Sequence, residues 1–193
     1  MREDRPVDND GLKFMEVPKD FWLARSDTLA GVGDDRYRLK SYMAKWKDAI
    51  KKGHGVFIAG PRFSGKSYMA AILCKLFYAK WITPQWAFLP DMIDNIVKGI
   101  YWDNDEKELY HDRYKNCDVL VMDGLGKEAP NFYNKSSNII DYRLSHKKIT
   151  IITSSLSATE FKEKYIDLLG VLERRFVFIP LRKSVGENVN VLY

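Results

Sequence analysis

The stretch GVFIAGPRFSGKSYMAA, Gly55 to Ala71, runs from a short apolar segment through a glycine-bounded turn into residues at helical spacing. Gly60, Pro61, Arg62, Phe63, Ser64, Gly65, Lys66 and Ser67 fit G-x-x-x-x-G-K-[ST], a pattern in which each fixed position has a mechanical role. The glycines let the backbone turn tightly and approach an anion with no Cβ in the way. Amides of the turn and of the following helix then point at a phosphate, and the helix dipole adds partial positive charge. Lys66 is expected to bridge the outer phosphates, and the Ser67 hydroxyl to hold Mg²⁺. The candidate nucleotide contacts run from Gly60 through Tyr68.

The flanks decide whether this is a phosphate loop or a chance match in an ordinary turn. At average residue frequencies, a chain of this length meets the pattern by chance somewhat under ~1% of the time. Val56 to Ala59 reads as a strand and Ser67 to Phe77 as a helix, the context the motif requires.

Outward from the loop, strand and helix patterns alternate. Asp35 to Lys52 places Tyr37, Leu39, Tyr42, Met43, Trp46, Ala49 and Ile50 at mostly three- and four-residue steps, predicting one amphipathic helix ending at Gly53. Trp86 to Leu89 reads as a strand ended by Pro90, with Asp91 capping the next helix. Val119 to Met122 is an unbroken apolar run ending in Asp123, the pattern of a buried parallel strand with a carboxylate at its carboxyl end. Asn138 to Ser145 is helical in pattern, Ile149 to Thr153 a β-branched strand, Glu160 to Arg175 a helix and Phe176 to Pro180 a last strand. Such alternation predicts an α/β fold of three layers around a five-stranded parallel sheet, with the ligand at the carboxyl ends of the strands.

The 193 residues are enough for one domain with a substantial core. Residues 1–16 are polar and predict a flexible arm, leaving residues 17–193 as the core. Val17 to Leu29 reads as a strap with an apolar knot at Phe21, Trp22 and Leu23, packed on the core or walling a base pocket. No apolar run approaches membrane-spanning length and the N-terminus is too polar for a signal peptide, so a cytoplasmic protein without a membrane partner is expected. Cys74 and Cys117 share no ligand spacing, and neither do the three histidines. A net charge of +5 and pI near 9.0 are compatible with a polyanionic partner such as DNA. Lys40, Lys45, Lys47, Lys51 and Lys52 are the densest basic group, which a solvated helix face would also produce. Tyr101 to Asn116 mixes aromatics with charge and is a candidate contact surface.

A phosphate loop needs a carboxylate from a second buried strand to help hold Mg²⁺, and Asp123 supplies it. Hydrolysis needs a further group to orient water, and the position after the strand acid is Gly124, so the nearest downstream acid, Glu128, is the candidate. Thr153, Ser154 and Ser155 end the next strand and offer hydroxyls that could sense the terminal phosphate.

With these motifs in order, the chain resembles the AAA+ ATPases of the helicase-loader group, DnaC and DnaI, and the related IstB transposition ATPases. The likeness covers about Val17 to Asn190 and rests on the entry at Val17 to Phe21, GPRFSGKSYMAA, FLPDMIDNI at Phe88 to Ile96, DGLGKE at Asp123 to Glu128, ITSSLS at Ile152 to Ser157 and LERRF at Leu172 to Phe176. It implies a P-loop NTPase fold of the AAA+ or RecA-like kind, with ATP and Mg²⁺ as ligands. It also implies action on single-stranded DNA with a replicative helicase or transposition protein, and ATP-dependent homo-oligomers. By the same resemblance Ser155 stands at the sensor position, and Arg174 or Arg175 reaches a neighbouring subunit's nucleotide. Phe63 replaces a loop glycine, Gly124 the second acid and Ser155 the sensor Asn, departures that point to slow hydrolysis. From the residues after Ser155, little or no C-terminal lid is expected.

Other classes remain open on the residues alone. A non-hydrolysing interaction protein would use nucleotide only to display a docking surface, and Gly124 favours it. A small kinase would need an arginine-rich lid, and no such cluster lies between Gly124 and Ile149.

Overall fold

The computed structural model describes residues 3–27, 34–99 and 112–181. After helix α1 (Asn9–Phe14), helices α2 (Asp34–Ala44) and α3 (Trp46–Lys52) lead into strand β1 (Gly55–Ala59) and helix α4 (Lys66–Ala79). Strand β2 (Pro84–Phe88), helix α5 (Leu89–Lys98), strand β3 (Val119–Leu125), helix α6 (Tyr133–Ser145) and strand β4 (Ile149–Ser154) follow. Helix α7 (Ala158–Lys164), helix α8 (Leu169–Arg175) and strand β5 (Phe176–Pro180) complete the described chain.

The five strands form one sheet in the order β2-β3-β4-β1-β5, with every neighbouring pair parallel. Alternate residues of the strands face opposite layers, as strand geometry requires. Val56, Ile58, Val119, Val121, Ile149, Ile151 and Ile179 join a core with Leu39, Tyr42, Leu73 and Phe77. Phe57, Leu120, Met122 and Ile152 join a second core with Met92, Ile93, Ile140, Phe161 and Leu172. Burial on both faces explains why β3 and β4 read as continuous apolar runs rather than alternating ones.

Several elements differ from the sequence expectation. The polar stretch expected as an arm carries α1, whose first turn is capped by Asp8 accepting from the Gly11 amide at 2.7 Å. Leu12 and Met15 are buried, the Arg5 amide donates to Ala79 O at 2.7 Å, and the Arg5 guanidinium lies 3.9 Å from the Tyr78 ring centroid. A few buried apolar groups fix the segment despite its polar composition. Lys45 (φ −102°, ψ 21°) divides the expected helix of residues 35–52 into α2 and α3, while the apolar stripe of Leu39, Tyr42 and Ala49 continues across the break. Pro90 does not end a strand but lies in the first turn of α5, where its missing N–H costs nothing, and Phe88 rather than Asp91 takes the cap position. The helix expected over Glu160 to Arg175 breaks at Tyr165 into α7, a 3₁₀ turn at Ile166–Leu168, and α8. In the strap, Phe21 stacks on Trp86 at 5.9 Å and the Trp22 indole donates to Val17 O at 2.8 Å, whereas Leu23 is exposed. Residues 101–111 of the candidate contact surface, and residues 182–193, on which the lid expectation bears, lie outside the described residues.

Candidate nucleotide-binding site

Register across the sheet assembles the site. Phe88 pairs with Asp123, Asp123 with Thr153, Thr153 with Ile58 and Ile58 with Ile179, so one row crosses all five strands near their carboxyl ends. The glycine-bounded turn leaves β1 just beyond this row and α4 begins at Lys66. Thr153, on the strand between β1 and β3, therefore sits between the turn and Asp123.

In the turn, a Cβ on Gly60 would lie 2.5 Å from Leu181 O, so the position has no room for a side chain. Gly65, at φ +88°, caps α4 in a conformation that side chains rarely adopt, with open space where a Cβ would stand. Pro61 and Arg62 are exposed. Phe63 holds φ +62° with its ring fully in solvent. The Ser64 hydroxyl is buried with no hydrogen-bond partner among the described residues. The Tyr68 hydroxyl accepts from the Arg25 amide at 3.1 Å, tying the strap to α4.

Lys66 and Ser67, on the first turn of α4, face the strand ends. Lys66 Nζ donates to Pro61 O at 2.5 Å. Burial draws the Lys66 ammonium below the usual lysine range; nearby Lys127 adds to the effect and Asp123 opposes it. The Ser67 hydroxyl donates to Asp123 Oδ1 at 2.8 Å, and the Thr153 hydroxyl donates to the same oxygen at 2.5 Å. Thr153 Oγ1 in turn accepts from the Gly124 amide at 2.9 Å. A serine hydroxyl beside a carboxylate is the hard oxygen pair that magnesium takes next to phosphate oxygens, so Ser67 and Asp123 fit that ion.

The remaining candidates are not at this point. Glu128 is 4% exposed and its carboxylate is committed elsewhere. Its Oε1 accepts from the Ser136 hydroxyl at 2.7 Å and from the Tyr165 hydroxyl, and its Oε2 accepts from the Gly126 amide at 2.8 Å. The expectation that Glu128 orients water therefore meets a carboxylate whose oxygens already tie α6, the Tyr165 break and the β3 exit together. Burial, with Glu128 next in effect, drives the Tyr165 hydroxyl far up from the usual phenol range, which keeps it a donor. Ser155 is half-buried beyond the end of β4, while its neighbour Ser154 donates to Leu125 O at 2.9 Å. Thr153 is the strand-end hydroxyl that reaches Asp123, and the register of β4 between β1 and β3 is what singles it out.

Arg174 and Arg175 lie at the opposite end of the strands, since the next residue, Phe176, pairs with Gly55 at the start of β1. Both side chains are exposed; Arg174 Nε donates to Gly170 O at 2.9 Å and Arg175 Nη1 to Lys52 O at 3.2 Å. They cannot reach the turn of their own chain.

No protein-family model matches the sequence, and no curated protein matches it. Solved structures do share the fold. The crystal structure of the DnaC helicase loader aligns with a TM-score of 0.73 at 22% identity, over 85% of this chain and 99% of that one. The crystal structure of DnaI aligns with a TM-score of 0.66 at 16% identity, over 86% of this chain and 92% of that one. The replication initiator DnaA bound to AMPPCP and single-stranded DNA aligns with a TM-score of 0.67 at 13% identity, over 87% of this chain and 51% of that one, so the chain spans about half of that protein. Among the described residues no helix is long and apolar enough to cross a membrane. The parallel sheet, its strand order and these alignments together show that the chain shares the α/β fold of the solved DnaC, DnaI and DnaA structures.

Proposed function

We propose that the chain is an ATP-binding AAA+ module of the helicase-loader kind, acting on single-stranded DNA with a replicative helicase or transposition protein. The observation that carries this reading is the meeting of Ser67, Asp123 and Thr153 around one carboxylate oxygen, beside Lys66 and the glycine-bounded turn. Turn amides and Lys66 hold the phosphates, and Ser67 and Asp123 hold Mg²⁺, which supplies neutralisation of phosphate charge when bound. The net charge of +5 is consistent with a nucleic-acid partner, and the solved DnaA of the same fold is bound to single-stranded DNA.

Turnover is slow in this reading. Position 124 has no side chain and the nearest downstream acid, Glu128, is occupied by three donors, so neither position offers a free carboxylate to orient water. That observation also supports the second reading, a nucleotide-dependent interaction protein in which ATP acts as a switch rather than a fuel. Arg174 or Arg175 serves a neighbouring subunit's nucleotide in a head-to-tail assembly, a reading that their exposure and their distance from their own turn support.

The test is to measure particle size and phosphate release on the same samples, with and without ATP and single-stranded DNA. ATP-dependent assembly and DNA binding that weakens steeply with salt support the loader reading. Nucleotide binding without any DNA binding at low salt favours the switch, and turnover well above background that Lys66→Ala abolishes eliminates it.

A further inference from the structure

β3 does not end at Asp123 but turns sharply after it. Gly124 holds φ +95°, and the Lys127 amide donates to Gly124 O at 3.0 Å, closing a tight turn. A Cβ built on Gly124 would lie 2.9 Å from Lys127 Cδ and 3.4 Å from Lys127 Nζ. The lysine side chain thus lies along the path that a side chain at position 124 would take. Its ammonium also stands 5.2 Å from the centroid of the Phe88 ring, and Phe88 is the register partner of Asp123 on β2. The contact with Phe88 and the close approach to Gly124 place the lysine side chain at the carboxyl ends of β2 and β3, the strands on which Phe88 and Asp123 are register partners. Lys127 is exposed and forms no ion pair among the described residues.

We propose that Lys127 is a second cationic contact for the terminal phosphate of the bound nucleotide, entering the site where position 124 contributes no side chain of its own. The assignment rests on the nucleotide reading above and deepens it. Two ammonium groups, Lys66 on the first turn of α4 and Lys127 over Phe88, then act on one crevice and repel each other as like charges. A triphosphate would relieve that repulsion more than a diphosphate, because it carries the charge of one more phosphate. The site built this way discriminates ATP from ADP by charge. Nothing in the arrangement requires hydrolysis for the discrimination to work.

The contact over Phe88 has a bland interpretation, packing of an aliphatic stem on a ring, and the test separates the two. Binding of ATP and of ADP, each with Mg²⁺, is measured by calorimetry on the full chain as wild type, Lys127→Met, Lys127→Arg and Lys66→Ala. Methionine keeps the stem and removes the charge. The expected result is an about tenfold loss of ATP affinity in Lys127→Met with ADP changed less than about twofold, from the loss of one charge-assisted contact. Lys127→Arg keeps the ATP preference and Lys66→Ala weakens both nucleotides. An unchanged ratio of ATP to ADP affinity in Lys127→Met, with the wild type binding both, overturns the assignment and leaves the nucleotide reading intact. A wild type that binds neither nucleotide overturns both.

Discussion

The Ser136 hydroxyl donates to Glu128 Oε1 at 2.7 Å, joining a helix interior to the turn that follows the Asp123 strand. With Tyr165 and the Gly126 amide on the same carboxylate, Glu128 is a structural hub. Glu128→Gln places an amide NH₂ against donors and should cost about 1–3 kcal/mol. A protein of this size then melts lower by about 2–4 °C for each kcal/mol, which a thermal melt reads directly. An unchanged melting temperature together with loss of phosphate release would return Glu128 to the catalytic role.

Phe63 combines a left-handed backbone with a ring that is fully exposed. Release of that backbone by Phe63→Gly recovers about 1–2 kcal/mol, against about 0.4–1 kcal/mol of added unfolded-state entropy. The variant should therefore melt no lower than the wild type, although it removes a phenyl group. A drop of several degrees would mean that the ring is covered by a contact in solution.

Arg143 is fully buried, and its guanidinium donates to the carbonyls of Tyr114, Lys115, Cys117 and Ile149 and to the Thr150 hydroxyl. Burial lowers its pKa from the usual guanidinium value, and the Cys117 thiol beside it opposes the shift. Arg143→Met orphans several buried acceptors at once and should cost at least about 3 kcal/mol. Hydrogen exchange should show residues 112–118 losing protection first. A loss of under about 1 kcal/mol would contradict this role.

Arg175→Ala and Arg174→Ala separate own-chain from neighbouring-chain roles. Both side chains are exposed at the far end of the strands, so nucleotide affinity of the isolated chain should stay within about twofold of wild type while ATP-dependent assembly is lost in one of them. Sedimentation with and without ATP checks it. Reduced nucleotide affinity of the monomer would count against a role in trans.

The strand bearing Asp123 was legible because both its faces are buried, which leaves an apolar run ended by an acid that no exposed strand would show. The turn at Gly60 to Ser67 was legible for a different reason: phosphate geometry fixes residue types at fixed spacing. Where the sequence misled, the apolar pattern and the backbone parted company. Phe161, Tyr165, Leu168 and Leu172 keep a helical rhythm through a break that only the 3₁₀ turn reveals. Pro90 fits a strand end and a helix start equally well, and the choice depends on Leu89 being buried under the sheet. The commitments of Glu128 and Lys127 follow from positive-φ turns at Gly124 and Gly126, whose direction a string of residue types does not encode.

The account stands on a triphosphate and magnesium lying between Lys66 and Asp123. A crystal structure with a non-hydrolysable ATP analogue and Mg²⁺ tests it most directly. The prediction is density for the phosphates along Gly60 to Ser67, with the Ser67 and Asp123 side chains beside the ion. An analogue bound elsewhere, or a crevice empty at saturating ligand with Ser67 still hydrogen-bonded to Asp123, would contradict it.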